Sequence, residues 1–124
     1  MSIVLPLVSI VDDDESVRES LPDLVSELGF AVEAFSSAEE FLASGHVERT
    51  ECLILDIIMP GMSGPDLKQE LARRGQTIPT IFITAVKDDR VRPRLIEQGA
   101  VECLFKPFTD DVLQDALNLA LRLG

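Results

Sequence analysis

Apolar positions along this chain follow two alternating patterns. Short blocks rich in apolar residues appear at Leu7–Val11, Ala31–Phe35, Thr80–Thr84 and Val101–Phe105, and one unbroken run, Cys52-Leu53-Ile54-Leu55, ends in Asp56. Blocks of this length bounded by turn residues predict strands buried on both faces, as in a parallel sheet. Between the blocks, apolar residues recur at helical spacing: Val17, Leu21, Leu24, Val25 and Leu28, then Leu67 and Leu71, then Val112, Leu113, Ala116, Leu117, Ala120 and Leu121. That spacing predicts helices with one inward face each. Leu119 and Leu123 fall partly off the last helix's inner face and predict apolar surface there.

Punctuation residues sharpen the boundaries. Asp14 suits the N-cap of the first helix and Gly29 the position after its end. Pro22 lies inside that helix and predicts a kink, because it lacks a backbone donor. Ser37-Ala38-Glu39-Glu40 reads as a capping box opening a short helix that Gly45 ends. Ser63-Gly64-Pro65-Asp66 starts the next, closed by Gly75. Pro93 fits only the first turn of a helix, so the helix within Asp88–Gln98 is expected to begin near Val91 or Arg92. Thr109 or Asp110 caps the last one. Five strands alternate with five helices, without repeats or linkers. That pattern predicts a single α/β domain over residues 1–124, a doubly wound parallel sheet with helices on both faces.

Composition narrows the function. The 124 residues carry 22 acids against 11 bases, a formal charge of −11. Such a surface repels nucleic acid phosphates, so direct DNA binding is not expected, while a divalent cation or a basic partner is attracted. Two cysteines, Cys52 and Cys103, fall in predicted strands and read as buried reduced thiols. The apolar stretch from Ile3 has no basic flank or cleavage site and is too short to span a bilayer, so a cytoplasmic location without membrane contact is expected. His46, with no acids or cysteines beside it, reads as a surface histidine.

The strand ends bring distinct chemistry. The first brings Asp12 and Asp13, the third Asp56, the fourth Thr84 and the fifth Lys106. One polar strand end is ordinary capping, and a run such as Asp12-Asp13-Asp14 is ordinarily a solvated face. Several chemically different groups at the carboxyl lip, where open α/β sheets bind ligands, are harder to explain that way. Close carboxylates repel one another unless a cation sits among them, and hard oxygen donors suit Mg²⁺. A carboxylate can act as a nucleophile and form an aspartyl phosphate. The arriving negative charge then needs a metal, a fixed cation such as Lys106 and a hydroxyl donor such as Thr84.

Taken in order and spacing, Val11-Asp12-Asp13-Asp14, Leu55-Asp56-Ile57-Ile58-Met59-Pro60, Ile83-Thr84-Ala85 and Phe105-Lys106-Pro107-Phe108 resemble the receiver domain of bacterial two-component response regulators, over nearly the whole chain. The resemblance implies a flavodoxin-like (βα)5 fold with strand order 2-1-3-4-5, an order carried over from the family. It implies that Asp56 is the phosphoacceptor, served by a sensor histidine kinase. It implies that Asp12, Asp13, Asp56 and the backbone carbonyl of Ile58 hold Mg²⁺, directly or through water. Thr84 and Lys106 are then the groups that contact the phosphoryl oxygens. Such a domain is a switch that catalyses its own phosphorylation and dephosphorylation rather than a metabolic enzyme. It controls an output domain, often DNA-binding and acting in transcription, or a second copy of itself.

Three positions depart from or tune that pattern. Many receivers carry an aromatic three residues before the lysine; here Cys103 stands there. The movement expected on phosphorylation then involves the loop after Thr84 and the helix carrying Pro93, without an aromatic partner. Ile58 and Val86, two residues beyond Asp56 and Thr84, are apolar and cannot orient an attacking water, so a long-lived aspartyl phosphate is expected. Three other functions fit the residues less well. An aspartate-nucleophile phosphatase resembles D-x-D, and Ile58 occupies the second acid's place. A flavin or nucleotide module would want a Gly- or Ser/Thr-rich phosphate loop where Asp12-Asp13-Asp14 stands. A degenerate scaffold would not retain the Asp, Thr and Lys set.

Overall fold

The computed structural model describes residues 4–123, without the side chain of Leu123. The start of the apolar lead-in at Ile3, the Leu123 side chain and Gly124 lie outside the description. The elements are β1 (Leu7–Val11), α1 (Glu15–Glu27), β2 (Ala31–Phe35), α2 (Ala38–Ala43), a 3-10 turn (Val47–Arg49), β3 (Thr50–Asp56), α3 (Gly64–Arg73), β4 (Thr80–Thr84), α4 (Val91–Glu97), β5 (Glu102–Phe105) and α5 (Asp110–Leu123). The strands form one parallel sheet in the order β2-β1-β3-β4-β5.

Each face of the sheet has its own core. Val11, Leu53, Leu55, Phe82 and Cys103 face Phe41, Leu67, Leu71 and Leu95 from α2, α3 and α4. Val8, Ile10, Cys52, Ile54, Ile81, Ile83 and Leu104 face Leu21 and Val25 of α1 and Leu113, Ala116, Leu117 and Ala120 of α5. The central strands β3 and β4 are buried almost throughout, whereas the edge strands β2 and β5 show partly exposed positions. That is why the apolar run is continuous in β3 and β4, whereas Glu33 and Glu102 interrupt the edge strands. The two cysteines lie in opposite cores, both free, and burial pushes the Cys52 thiol up to about 12.

Helix ends follow the local chemistry, with three adjustments. Asp14 caps α1 through the Ser16 amide at 2.9 Å, and α1 continues through Pro22. Ser37 caps α2, but Glu40 reaches back to the Ser36 amide and hydroxyl instead of closing a box on Ser37. A reciprocal box forms at α3 between Ser63 and Asp66. α4 begins at Val91, with Pro93 in its first turn. β5 starts at Glu102, one residue later than the pattern predicts; the Val101 amide already donates to the Thr80 carbonyl at 2.8 Å. Val112 is 44 % exposed instead of inward, because consecutive helical positions sit about 100° apart and Leu113 takes the core. Leu119 is exposed, as its position predicts.

Candidate functional site

Register brings the strand ends to one line. Val11 lies opposite Leu55 across the β1–β3 ladder, so Asp12 emerges beside Asp56. Asp56 lies opposite Ile83, and Thr84 opposite Phe105, so Thr84 and Lys106 follow at the same lip. The Lys106 amide donates to the Thr84 carbonyl at 2.8 Å, fixing the last step of this staircase. The Lys106–Pro107 peptide is cis. Parallel strands all end on one edge, so four tips converge without any long-range design in the loops.

The convergence makes a cleft of about 330 Å³, lined by Asp13, Asp14, Asp56, Ile58, Thr84, Ala85, Val86 and Lys106. Ligand oxygens of Asp12, Asp13 and Asp56 lie within 4.8 Å of one another. Lys106 Nζ donates to Asp12 Oδ2 at 2.8 Å and stands 4.0 Å from Asp56 Oδ1. Thr84 Oγ1 accepts the Val86 amide at 3.1 Å, which leaves its proton to donate elsewhere. All the proposed side chains therefore meet in one place. The two apolar flanking residues also line it, with Ile58 63 % and Val86 50 % exposed.

Asp12 is fully engaged. It is buried, its amide donates to the Phe35 carbonyl at 3.1 Å and its Oδ1 accepts the Asp14 amide at 2.9 Å. Asp56 is also buried. Desolvation, then the negative charge of Asp12, push its carboxyl up to about 7, against the pull of Lys106. Charged acids packed this tightly disfavour ionisation unless a cation joins them. The donor set, hard carboxylate oxygens at a half-open lip, fits a divalent ion that keeps part of its water.

Three features of the site lie outside the strand-end pattern. Arg18 reaches back from α1 and donates through Nη1 to the Asp12 carbonyl at 3.0 Å. Glu39 reaches from α2 to accept the Met62 amide at 3.2 Å, bracing the loop after Asp56. Gly64, readable only as a helix start, sits so close to β3 that a Cβ there would lie 2.2 Å from the Asp56 carbonyl oxygen. A paired-end reading of polar helix positions could have flagged Arg18; nothing in the sequence points to the other two contacts.

A doubly wound domain with acids, a hydroxyl and a lysine at its carboxyl lip belongs to the switch-point class of α/β ligand sites. The response regulator receiver domain model matches residues 8–118, and the chain belongs to that family, the receiver domains of two-component response regulators. It is 42 % identical to the response regulator protein TodT of Pseudomonas putida over 124 residues, all of this chain and 55 % of TodT. It is 46 % identical to nodulation protein W of Bradyrhizobium diazoefficiens over 114 residues, 92 % of this chain and 50 % of that protein. The chain thus spans about half the length of these curated relatives. The solved response regulator StyR superposes with a TM-score of 0.87 at 44 % identity, covering 97 % of this chain and 61 % of StyR. The FixJ-N structure superposes with a TM-score of 0.83 at 37 % identity, covering 98 % of this chain and 96 % of that one. Among the described residues no helix is long and apolar enough to cross a membrane.

Proposed function

We propose that residues 1–124 form one receiver domain in which Asp56 accepts a phosphoryl group from the phosphohistidine of a sensor kinase. The reading is carried by one observation: the Asp12, Asp13 and Asp56 carboxylates gather within 4.8 Å while Lys106 Nζ reaches both Asp12 and Asp56. An Asp56 Oδ attacks the phosphorus of a phosphohistidine whose other ring nitrogen is protonated; the N–P bond breaks as the O–P bond forms, its electron pair stays on the ring, and the imidazole leaves neutral. Mg²⁺, bound by Asp13 and Asp56 with the Ile58 carbonyl and by Asp12 directly or through water, would neutralise charge on the transferring group. Lys106 then shifts from Asp12 towards the new phosphoryl oxygens, and the Thr84 hydroxyl donates to another of them. Ionisation of Asp56 is required for attack; its carboxyl is raised to about 7 by desolvation and the charge of Asp12, and a bound cation would favour the ionised form.

Drawing Thr84 towards the phosphoryl group pulls on the loop to α4. That movement is the switch delivered to an output domain, a transcription module as in the longer relatives, or to a second copy. The domain works in the cytoplasm and catalyses gain and loss of its own phosphoryl group. The test is mass measurement after incubation with acetyl phosphate and Mg²⁺. A single phosphoryl-sized gain in the wild type, absent in Asp56→Asn and in EDTA, is expected. An equal gain in Asp56→Asn would overturn the assignment.

A further inference from the structure

We propose that Arg18 is a positioning residue for the cation site: it grips the Asp12–Asp13 peptide and so aims the Asp13 carboxylate. The proposal rests on the metal-binding reading above. Asp12 is held at four polar points, its amide by Phe35, its two carboxylate oxygens by the Asp14 amide and Lys106, and its carbonyl by Arg18 Nη1 at 3.0 Å. Asp13 is exposed and belongs to a loop, not a strand. The carbonyl that Arg18 holds is part of the rigid peptide plane that enters Asp13. Fixing that plane fixes where the Asp13 nitrogen and Cα stand, and so narrows the directions its side chain can take.

Charge alone gives Arg18 the opposite effect on a bound cation. A guanidinium next to three clustered carboxylates competes with a divalent cation for the same field. A base is scarce in a chain of 11 bases and 22 acids, and here one half-buried guanidinium is spent on a neutral carbonyl beside the acids. The two effects predict opposite signs. If Arg18 acts by positioning, removing it weakens Mg²⁺ binding. If it acts only as a nearby positive charge, removing it tightens binding.

The chain has no Trp or Tyr, so intrinsic emission cannot report the metal, and calorimetric titration with MgCl₂ is the measurement. Arg18→Met and Arg18→Lys are compared with wild type, each first melted in EDTA. Positioning predicts Mg²⁺ affinity about tenfold weaker in Arg18→Met, the scale seen when partners that orient metal ligands are lost. It also predicts partial recovery in Arg18→Lys, which keeps a donor, with the EDTA melts little changed. Unchanged or tighter binding in Arg18→Met overturns the proposal. So does a weakening that merely tracks loss of the EDTA melt. If Arg18→Met does not melt cooperatively, Arg18→Gln is titrated under the same criterion. A wild type that binds no Mg²⁺ removes the proposed cation site itself, an outcome separate from any contrast between variants.

Discussion

The two rims of the cleft are built differently. On the β1–β3 rim, every polar group of Asp12 is engaged. The loop after Asp56 is closed by the Gly64 amide on the Ile57 carbonyl at 2.9 Å, braced by Glu39 and ended by a reciprocal capping box. On the β4 rim, Thr84 leads to a short α4 of seven residues with no side-chain N-cap and one buried side chain, Leu95. Beyond Leu95, a forked ion pair at 2.8 and 3.0 Å from Arg92 to Glu102 ties α4 to β5. One rim holds reacting groups still; the other is cheap to move. A switch needs both, since positioning demands rigidity and signalling demands an element of low local stability.

The largest test attacks the rigid rim. Gly64→Ala would force a Cβ against the Asp56–Ile57 backbone, which cannot swing aside as a side chain could, and is expected to cost about 3 kcal/mol in urea unfolding. A cost under about 0.5 kcal/mol would show that this rim yields as easily as the other.

The second test uses pH. The Asp56 carboxyl is raised in the folded state from 3.8 to about 7, so the folded protein holds its proton longer than the unfolded chain. Its contribution is full below pH 4 and is lost as pH rises through 7. Stability in EDTA should therefore fall by about 2 kcal/mol between pH 5 and pH 8, and the fall should vanish in Asp56→Asn. Mg²⁺ should recover more of it at pH 8 than at pH 5, where protons compete for the site. A flat profile in wild type would mean that the acids are not crowded as their geometry requires.

The third spans both rims. Ile58 and Val86 each place an exposed apolar side chain at the cleft. Ile58→Asn with Val86→Glu should hasten loss of the phosphoryl group several-fold, followed by phosphate release, because polar groups there can orient water. An unchanged half-life would remove these residues from the account.

The smallest effect lies on the mobile rim. Arg92→Gln opens a half-exposed ion pair, so global stability should drop by no more than about 1 kcal/mol. Amide exchange across Val91–Glu97 should nevertheless quicken while α5, anchored by Leu113, Ala116, Leu117 and Ala120, stays protected. Equal change in both helices would erase the distinction between the rims.

Most of the architecture was readable before any coordinates, for a physical reason. Strand and helix periods are local, and parallel strands end on one edge, so Asp12, Asp56, Thr84 and Lys106 had to share a lip once five strands were recognised. Caps at Asp14, Ser37 and Ser63 are equally local, and the late start of α4 followed from Pro93 alone. Tertiary structure decided what depends on reach and packing. It turned Val112 outward and gave the core to Leu113. It set Lys106 Nζ 2.8 Å from Asp12 and 4.0 Å from Asp56, and it made Gly64 a contact point instead of a mere helix start. The link from Glu39 to Met62 joins residues 23 apart with no shared local pattern, because a long side chain's partner is set by how helices pack on the sheet, and the same packing turns Arg18 back onto the Asp12 carbonyl.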